Sequence, residues 1–233
     1  MIAIFKRDFK AYFQTPLGFV FLSAFFFFSA IPFRYILSAG SNYISGIYSS
    51  NFLIYLLLLC LLTMNLLSDE KRHKTDQAIF TSPVSVLSVV LGKYLAAATV
   101  YTIALMITVL YALIMCIFVV PDFPLFFCGF LGMYLSGLAV IAIGLFISSL
   151  TESQVISAVI TCAVVFFIMM VDSLSQIINT DKLDFILDAI SFHGRFNSFV
   201  VGMLDVSNIV FFISVIILFL FFTDRMLERR KWA

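Results

Sequence analysis

The feature that most constrains this chain is a set of apolar runs too long for any soluble fold. No Asp, Glu, Lys or Arg occurs between Phe123 and Leu150, between Asn51 and Leu67, or between Ser207 and Thr223. About 20 apolar residues cross the hydrocarbon core of a bilayer as a helix, and six segments meet that length. They are Leu17 to Leu37, Asn51 to Leu67, a stretch within Ser88 to Val120, Phe123 to Leu150, Val155 to Ile178, and Ser207 to Thr223. The second is the shortest, but its nine Leu, one Ile and one Phe favour insertion by roughly 3–6 kcal/mol before Asn51 and Asn65 are set against them. The third, as one helix, would be about 50 Å long at ~1.5 Å per residue and would project past the membrane. Composition agrees: 12% of the 233 residues are charged against about 25% in a soluble domain, 63% are hydrophobic, and Phe occurs 29 times. The expected fold is all-α and polytopic, a single transmembrane domain over 1–233 with six spans.

Six spans put both termini on one side. With the termini inside, the inner segments carry every Lys and Arg except Arg34, Lys182 and Arg195, and that bias sets both termini in the cytoplasm. Met1 is followed by alternating apolar and basic residues, and the first apolar run lacks a small-residue cleavage site, so no cleavable signal is expected. A net charge of +1 excludes ordinary nucleic-acid binding, which needs basic residues to displace phosphate counterions. Cys60, Cys116, Cys128 and Cys162 all lie in apolar runs and read as buried structural thiols.

Three polar stretches can carry function. In Met1 to Gln14, Ile2, Phe5, Phe9, Tyr12 and Phe13 share one helical face and Lys6, Arg7, Lys10 and Gln14 the other, the pattern of a helix lying in the membrane interface. Thr15-Pro16 ends it. It reads either as an anchor for the first span or as an elbow that moves with a cytoplasmic partner. In Ser68 to Leu87, Thr75 is an N-cap with Asp76 in the first turn, and Pro83 closes a helix of about two turns that shows Ile79 and Phe80 outward. That helix is either a docking knob for another protein or a loop on the headgroups. Val171 to Val206 is a long connection, uncommon unless structured. Phe185, Ile190, Phe192, Phe196 and Phe199 make it too apolar for a free loop, so short re-entrant helices are expected.

Catalytic and metal sites are not expected. Gly92-Lys93 lacks the upstream Gly of a P-loop and is followed by Tyr94, so the chain is not expected to hydrolyse ATP. His73 and His193 fall on opposite sides of the membrane and cannot share a metal. Arg34, Lys93, Glu152 and Asp172 sit near span ends, where snorkelling accounts for them, so no midplane carboxylate suggests an ion-driven carrier. Gly129, Gly132, Gly137 and Gly144 in the fourth span read either as intrachain packing or as a dimer interface.

Three passages stand out: Lys6-Arg7-Asp8-Phe9-Lys10-Ala11-Tyr12-Phe13 through Thr15-Pro16-Leu17-Gly18-Phe19-Val20-Phe21; Glu70-Lys71-Arg72 through Thr75, Thr81, Pro83-Val84-Ser85 and Gly92-Lys93-Tyr94; and Ser191-Phe192 through Phe196, Phe199, Gly202 and Asp205. With the six spans, they resemble the ABC-2 type permeases of prokaryotic ABC transporters, with similarity to the gliding-motility and nitrous-oxide-reductase accessory branch. The resemblance implies that residues 1–14 are a connecting helix and 75–82 a coupling helix. It assigns ATPase coupling to Glu70, Arg72, Thr75, Asp76, Gln77, Ala78, Ile79, Phe80, Thr81 and Pro83. It assigns an external gate to Phe192, Arg195, Phe196, Phe199, Gly202 and Asp205. His73-Lys74 stands where the family often has a Gly, so the approach to the coupling helix differs there.

The same resemblance implies an exporting permease in the prokaryotic cytoplasmic membrane; the Phe-lined, charge-poor helices suit an apolar or amphipathic cargo, although Phe facing lipid gives the same count. Its partners would be cytoplasmic ABC ATPases, a second permease chain (itself or a related one) and membrane lipids, with room for an auxiliary extracytoplasmic protein. ATP and Mg would be held by the ATPase, with no cofactor in this chain. The competing reading is a membrane-embedded receptor or assembly factor without a transport cycle. An intramembrane enzyme would need a catalytic constellation that the sequence does not offer.

Overall fold

In the computed structural model, which describes residues 1–72, 85–175 and 191–231, the described residues form nine helices and no strand. They are α1 (Ile2–Gln14), α2 (Pro16–Ser38), α3 (Gly46–Thr63), α4 (Ser68–Arg72), α5 (Val86–Met115), α6 (Phe123–Leu150), α7 (Gln154–Ser175), α8 (Phe192–Val200) and α9 (Val206–Lys231). Five are long and apolar enough to cross a membrane, and the Gln154–Met170 part of α7 is a shorter apolar helix. The polytopic all-helical architecture read from the runs is the one observed.

Prolines punctuate the chain as their chemistry requires. Thr15 takes an extended conformation (φ −93°, ψ 152°) and Pro16 opens α2, so the amphipathic helix and the first span are separate rods. The third span stops short of Val120. After Met115 the chain tightens into a turn, with Phe118 N donating to Met115 O at 2.9 Å, and Pro121 bars Val120 from the helix. α5 is therefore 30 residues, about 45 Å. Two spans run longer than the apolar runs alone suggest: α3 begins at Gly46 ahead of Asn51, and α9 continues past Thr223 to Lys231.

α6 is the axis of the bundle and packs against α3, α5, α7, α8 and α9. Its most apolar window is 67% buried, whereas those of α9 and α2 are 17% and 28% buried, so these two form the periphery. The glycines of α6 are each taken up within the chain. A Cβ on Gly137 would lie 2.3 Å from Tyr101, one on Gly144 2.3 Å from Thr63, one on Gly132 2.6 Å from Phe199 and one on Gly129 3.0 Å from Tyr48. Intrachain packing thus accounts for all four. Of the cysteines, Cys60 and Cys128 are buried and Cys162 is half-buried, but Cys116 is exposed. It sits in the turn that Pro121 imposes after α5, beyond the packed part of the helix.

Candidate functional site

The two ends of the bundle differ in chemistry. At one end α1 lies across the start of α5 and the end of α3. Ile4 abuts Gly92, where a Cβ would approach to 3.1 Å, and buried Tyr12 donates its hydroxyl to Leu62 O at 2.9 Å. Leu62 lies in the last turn of α3, whose carbonyls lack helical donors, so the tyrosine satisfies one of them. The start of α4 is capped from α6. Ser148 Oγ accepts from both Leu67 N and Ser68 N at 3.0 Å. Gln154 at the start of α7 donates to Asp69 Oδ1 at 2.6 Å.

Four charges close a ring at this end. Arg7 donates through Nε to Asp8 Oδ1 at 2.8 Å and through Nη2 to Glu70 Oε1 at 2.6 Å. Lys93 Nζ lies 2.9 Å from Glu70 Oε1 and 3.2 Å from Asp8 Oδ2. Signs alternate around the ring, and three helices (α1, α4, α5) contribute. Burial works against the charge of Arg7, but Asp8 and Glu70 outweigh it and raise its pKa above the ordinary value. The side chain of Lys93 is 4% exposed, so the snorkelling expected of it does not occur. Paired carboxylates from α1 and α4 hold the ammonium in place, which is what a buried cation requires.

Of the residues assigned to coupling, Glu70 sits in this ring and Arg72 is exposed at the end of α4. Thr75, Asp76, Gln77, Ala78, Ile79, Phe80, Thr81 and Pro83 lie outside the described residues. Sequence reasoning missed Asp8 and Lys93 as a pair. A signal existed: Asp8 falls four residues from both Ile4 and Tyr12, on the inward face of α1, where a carboxylate demands a partner.

At the opposite end the residues assigned to the gate gather around α8. Phe196 stacks on Phe52 of α3, with centroids 3.9 Å apart and planes at 12°. Phe192 meets Phe212 edge-on at 5.3 Å, and Phe199 lies against Gly132. All three are buried. Arg195 donates to Asn208 Oδ1 at 2.9 Å and lies 4.4 Å over the Phe211 ring, joining α8 to α9. Ser191 caps α8 by accepting from Gly194 N at 2.9 Å. Gly202, at φ +90°, ends the helix in a Schellman arrangement, with Met203 N on Ser198 O and Gly202 N on Phe199 O. Asp205 Oδ1 accepts from Ser207 N at 3.0 Å and so caps α9. Among the described residues no cluster of His, Cys, Asp or Glu could hold a metal ion.

A bundle with a charged ring at one end and an aromatic helix at the other can be compared with known families. The family model described as ABC-2 family transporter protein matches residues 31–223. The chain belongs to the ABC-2 transporter family. It is therefore the permease component of an ABC transporter, a membrane protein that works with ABC ATPase subunits. Glu70, Lys93 and all of α8 fall within the matched stretch of this permease, whereas Arg7 and Asp8 on α1 precede it. No curated protein matches the permease.

Proposed function

We propose that this permease pairs with a second copy of itself or a related chain and exports an apolar or amphipathic substrate across a prokaryotic cytoplasmic membrane. The ring end of the bundle faces the cytoplasm, as the Lys and Arg bias favours. Two cytoplasmic ATPases, each holding ATP and Mg, engage the loop between α4 and α5. Closure of the ATPases on nucleotide displaces that loop, and the permease switches between rigid-body states biased by nucleotide. The aromatic helix α8, with Phe192, Arg195, Phe196 and Phe199, closes the outer end of the path.

The observation that carries this reading is the Glu70–Lys93 ion pair at 2.9 Å. Glu70 precedes the loop and Lys93 follows it, so the pair ties its two stems, and Asp8 and Arg7 add α1 to the same joint. A force on the loop then moves α1, α3 and α5 together instead of bending one stem. Such a joint is of use to a subunit driven from its cytoplasmic face, and it gives a receptor without a cycle no evident advantage.

The test is cross-linking. Cysteines placed at Ala78 or Thr81 should capture the ATPase subunit copurified with the permease, and replacement of Ile79 and Phe80 by Asp should abolish both capture and substrate-stimulated ATP hydrolysis. ATPase association that survives the Ile79 and Phe80 replacements rules this loop out as the coupler. Reconstitution with lipids, peptides and hydrophobic drugs as stimulants then identifies the substrate class.

A further inference from the structure

The short helix α4, which leads into the loop before α5, is gripped by two helices from the second half of the chain. Ser148 of α6 accepts from Leu67 N and Ser68 N, which pins the start of α4 to the axis of the bundle. Asp69, the next residue, is held by α7, with Gln154 Nε2 donating to its Oδ1 at 2.6 Å. The first grip is on backbone N–H groups, which any helix start presents. The second joins two particular side chains, and a hydrogen bond to a carboxylate is roughly twice as strong as a neutral one.

Gln154 is the first residue of α7, and the chain ahead of it leaves the helical conformation. Thr151 is extended (φ −108°, ψ 152°), so α6 and α7 are separate rods joined by a short link. The buried positions Ser157, Thr161 and Val165 of α7 recur once per turn and are small, and Thr161 donates its hydroxyl to Ser157 O of its own helix. Such a face permits the small sliding motions by which packed helices shift. Further along, Val164 and Ile168 pack on the cluster formed by Phe192 and Phe199 of α8 and Phe212 of α9. From Gln154 to Ile168 is about 21 Å along the helix at ~1.5 Å per residue. One rod therefore touches both the stem of the loop and the aromatic helix at the opposite end.

We infer that Gln154 is a positioning residue of the transport cycle: through Asp69 it passes movement of the α4–α5 loop into α7, and α7 passes it to α8. This rests on the coupling role proposed above for that loop. The device needs a donor on α7 facing an acceptor on α4, or the reverse, and it fails when both groups are carboxylates.

The test uses the permease with its copurified ATPase in lipid nanodiscs. A cysteine replaces Val201, exposed at the end of α8, in a chain whose four native cysteines are changed to Ala. Its rate of labelling by a water-soluble maleimide is measured with and without Mg and a non-hydrolysable ATP analogue. With Asp69 and Gln154 in place, nucleotide should change the rate at least about threefold. Gln154→Glu should bring that change below about 1.5-fold while the ATPase still copurifies and still hydrolyses ATP. Asp69→Asn leaves Gln154 an acceptor and should keep the response. Asp69→Asn combined with Gln154→Glu turns the bond round, the new amide donating to the new carboxylate, and should restore it.

A full response in Gln154→Glu overturns the inference and leaves α3, whose Phe52 stacks on Phe196, as the carrier. A response lost in Asp69→Asn, or not restored in the double variant, overturns it too, because the effect then lies in another contact of Asp69 or in packing around Gln154. Loss of ATPase copurification in Gln154→Glu marks a general packing role and has the same consequence. No response even with Asp69 and Gln154 in place and the ATPase bound overturns the coupling role of the loop itself, and this inference with it.

Discussion

Asn51 on α3 supplies the hydrogen bond that Pro32 on α2 cannot. Pro32 sits inside α2 and has no N–H, so the carbonyl of Phe28, four residues earlier, loses its helical donor. The Asn51 side-chain amide donates to that carbonyl at 2.6 Å. Within hydrocarbon no water could do the same. Asn51→Leu should therefore destabilise the permease by about 1–3 kcal/mol, and Pro32→Ala in that background should recover part of the loss by restoring a backbone donor. Unfolding of the wild type, the two single variants and the double variant in detergent reads both effects; a neutral Asn51→Leu would show that the Phe28 carbonyl has another partner.

The charge ring makes a second prediction. Lys93→Met leaves Asp8 and Glu70 with Arg7 as their shared cation. Removing one partner from a fully buried pair costs about 3–5 kcal/mol; here the carboxylates keep 13% and 17% exposure, so the expected cost is about 2–3 kcal/mol. The double variant Lys93→Met with Glu70→Gln should cost clearly less than the two singles added, because contacting charges do not act independently. A double-mutant cycle by thermal unfolding measures this, and strict additivity would mean that the two side chains are not coupled.

Close approach to α6 can be graded glycine by glycine. Gly137→Ala would set a methyl 2.3 Å from the Tyr101 ring, which is itself held by its hydroxyl on Met133 O at 2.6 Å. Over-packing of this kind costs about 1–3 kcal/mol. Gly129→Ala, whose Cβ would meet Tyr48 at 3.0 Å, should be milder. Melting temperatures of the two variants give the order directly.

Gly202 separates steric contact from backbone strain. Gly202→Ala would place a Cβ 2.8 Å from Leu125 Cδ1 and would also hold alanine at φ +90°. Left-handed backbone alone costs an L-residue roughly 1–2 kcal/mol. Leu125→Ala should thus relieve only part of the Gly202→Ala defect. Full recovery in the double variant, by unfolding or by transport in vesicles, would assign the whole effect to the contact.

Much of this architecture is legible in the order of residues along the chain. The limits of α6 and the break at Thr15-Pro16 follow from composition and from the backbone chemistry of proline, both of which act over a few residues. The apolar character of Phe185, Ile190, Phe192, Phe196 and Phe199 points to short helices in the long connection, and among the described residues α8 is there with its three phenylalanines inward. Lys93 is another matter. A lone lysine in the first turns of a long apolar helix has the same local pattern whether it snorkels to the headgroups or is buried against carboxylates. The glycines of α6 are equally ambiguous in sequence, since small residues permit a close approach without naming the neighbour that makes it.

What the sequence by itself determined is therefore the kind of molecule and its medium: that it is built of long apolar rods, where prolines separate them, and which segments carry the scarce charge. These depend on transfer free energy and local backbone sterics, which each stretch of chain expresses alone. Only the tertiary structure decided that Asp8, Glu70 and Lys93 meet, that Asn51 repairs the carbonyl freed by Pro32, and that Tyr101, Thr63, Tyr48 and Phe199 fill the glycine notches of α6. Each of those is a pairing between distant segments. In a medium without water to satisfy a stray polar group or a hydrophobic force to bring helices together, such pairings set which helices touch and in what register.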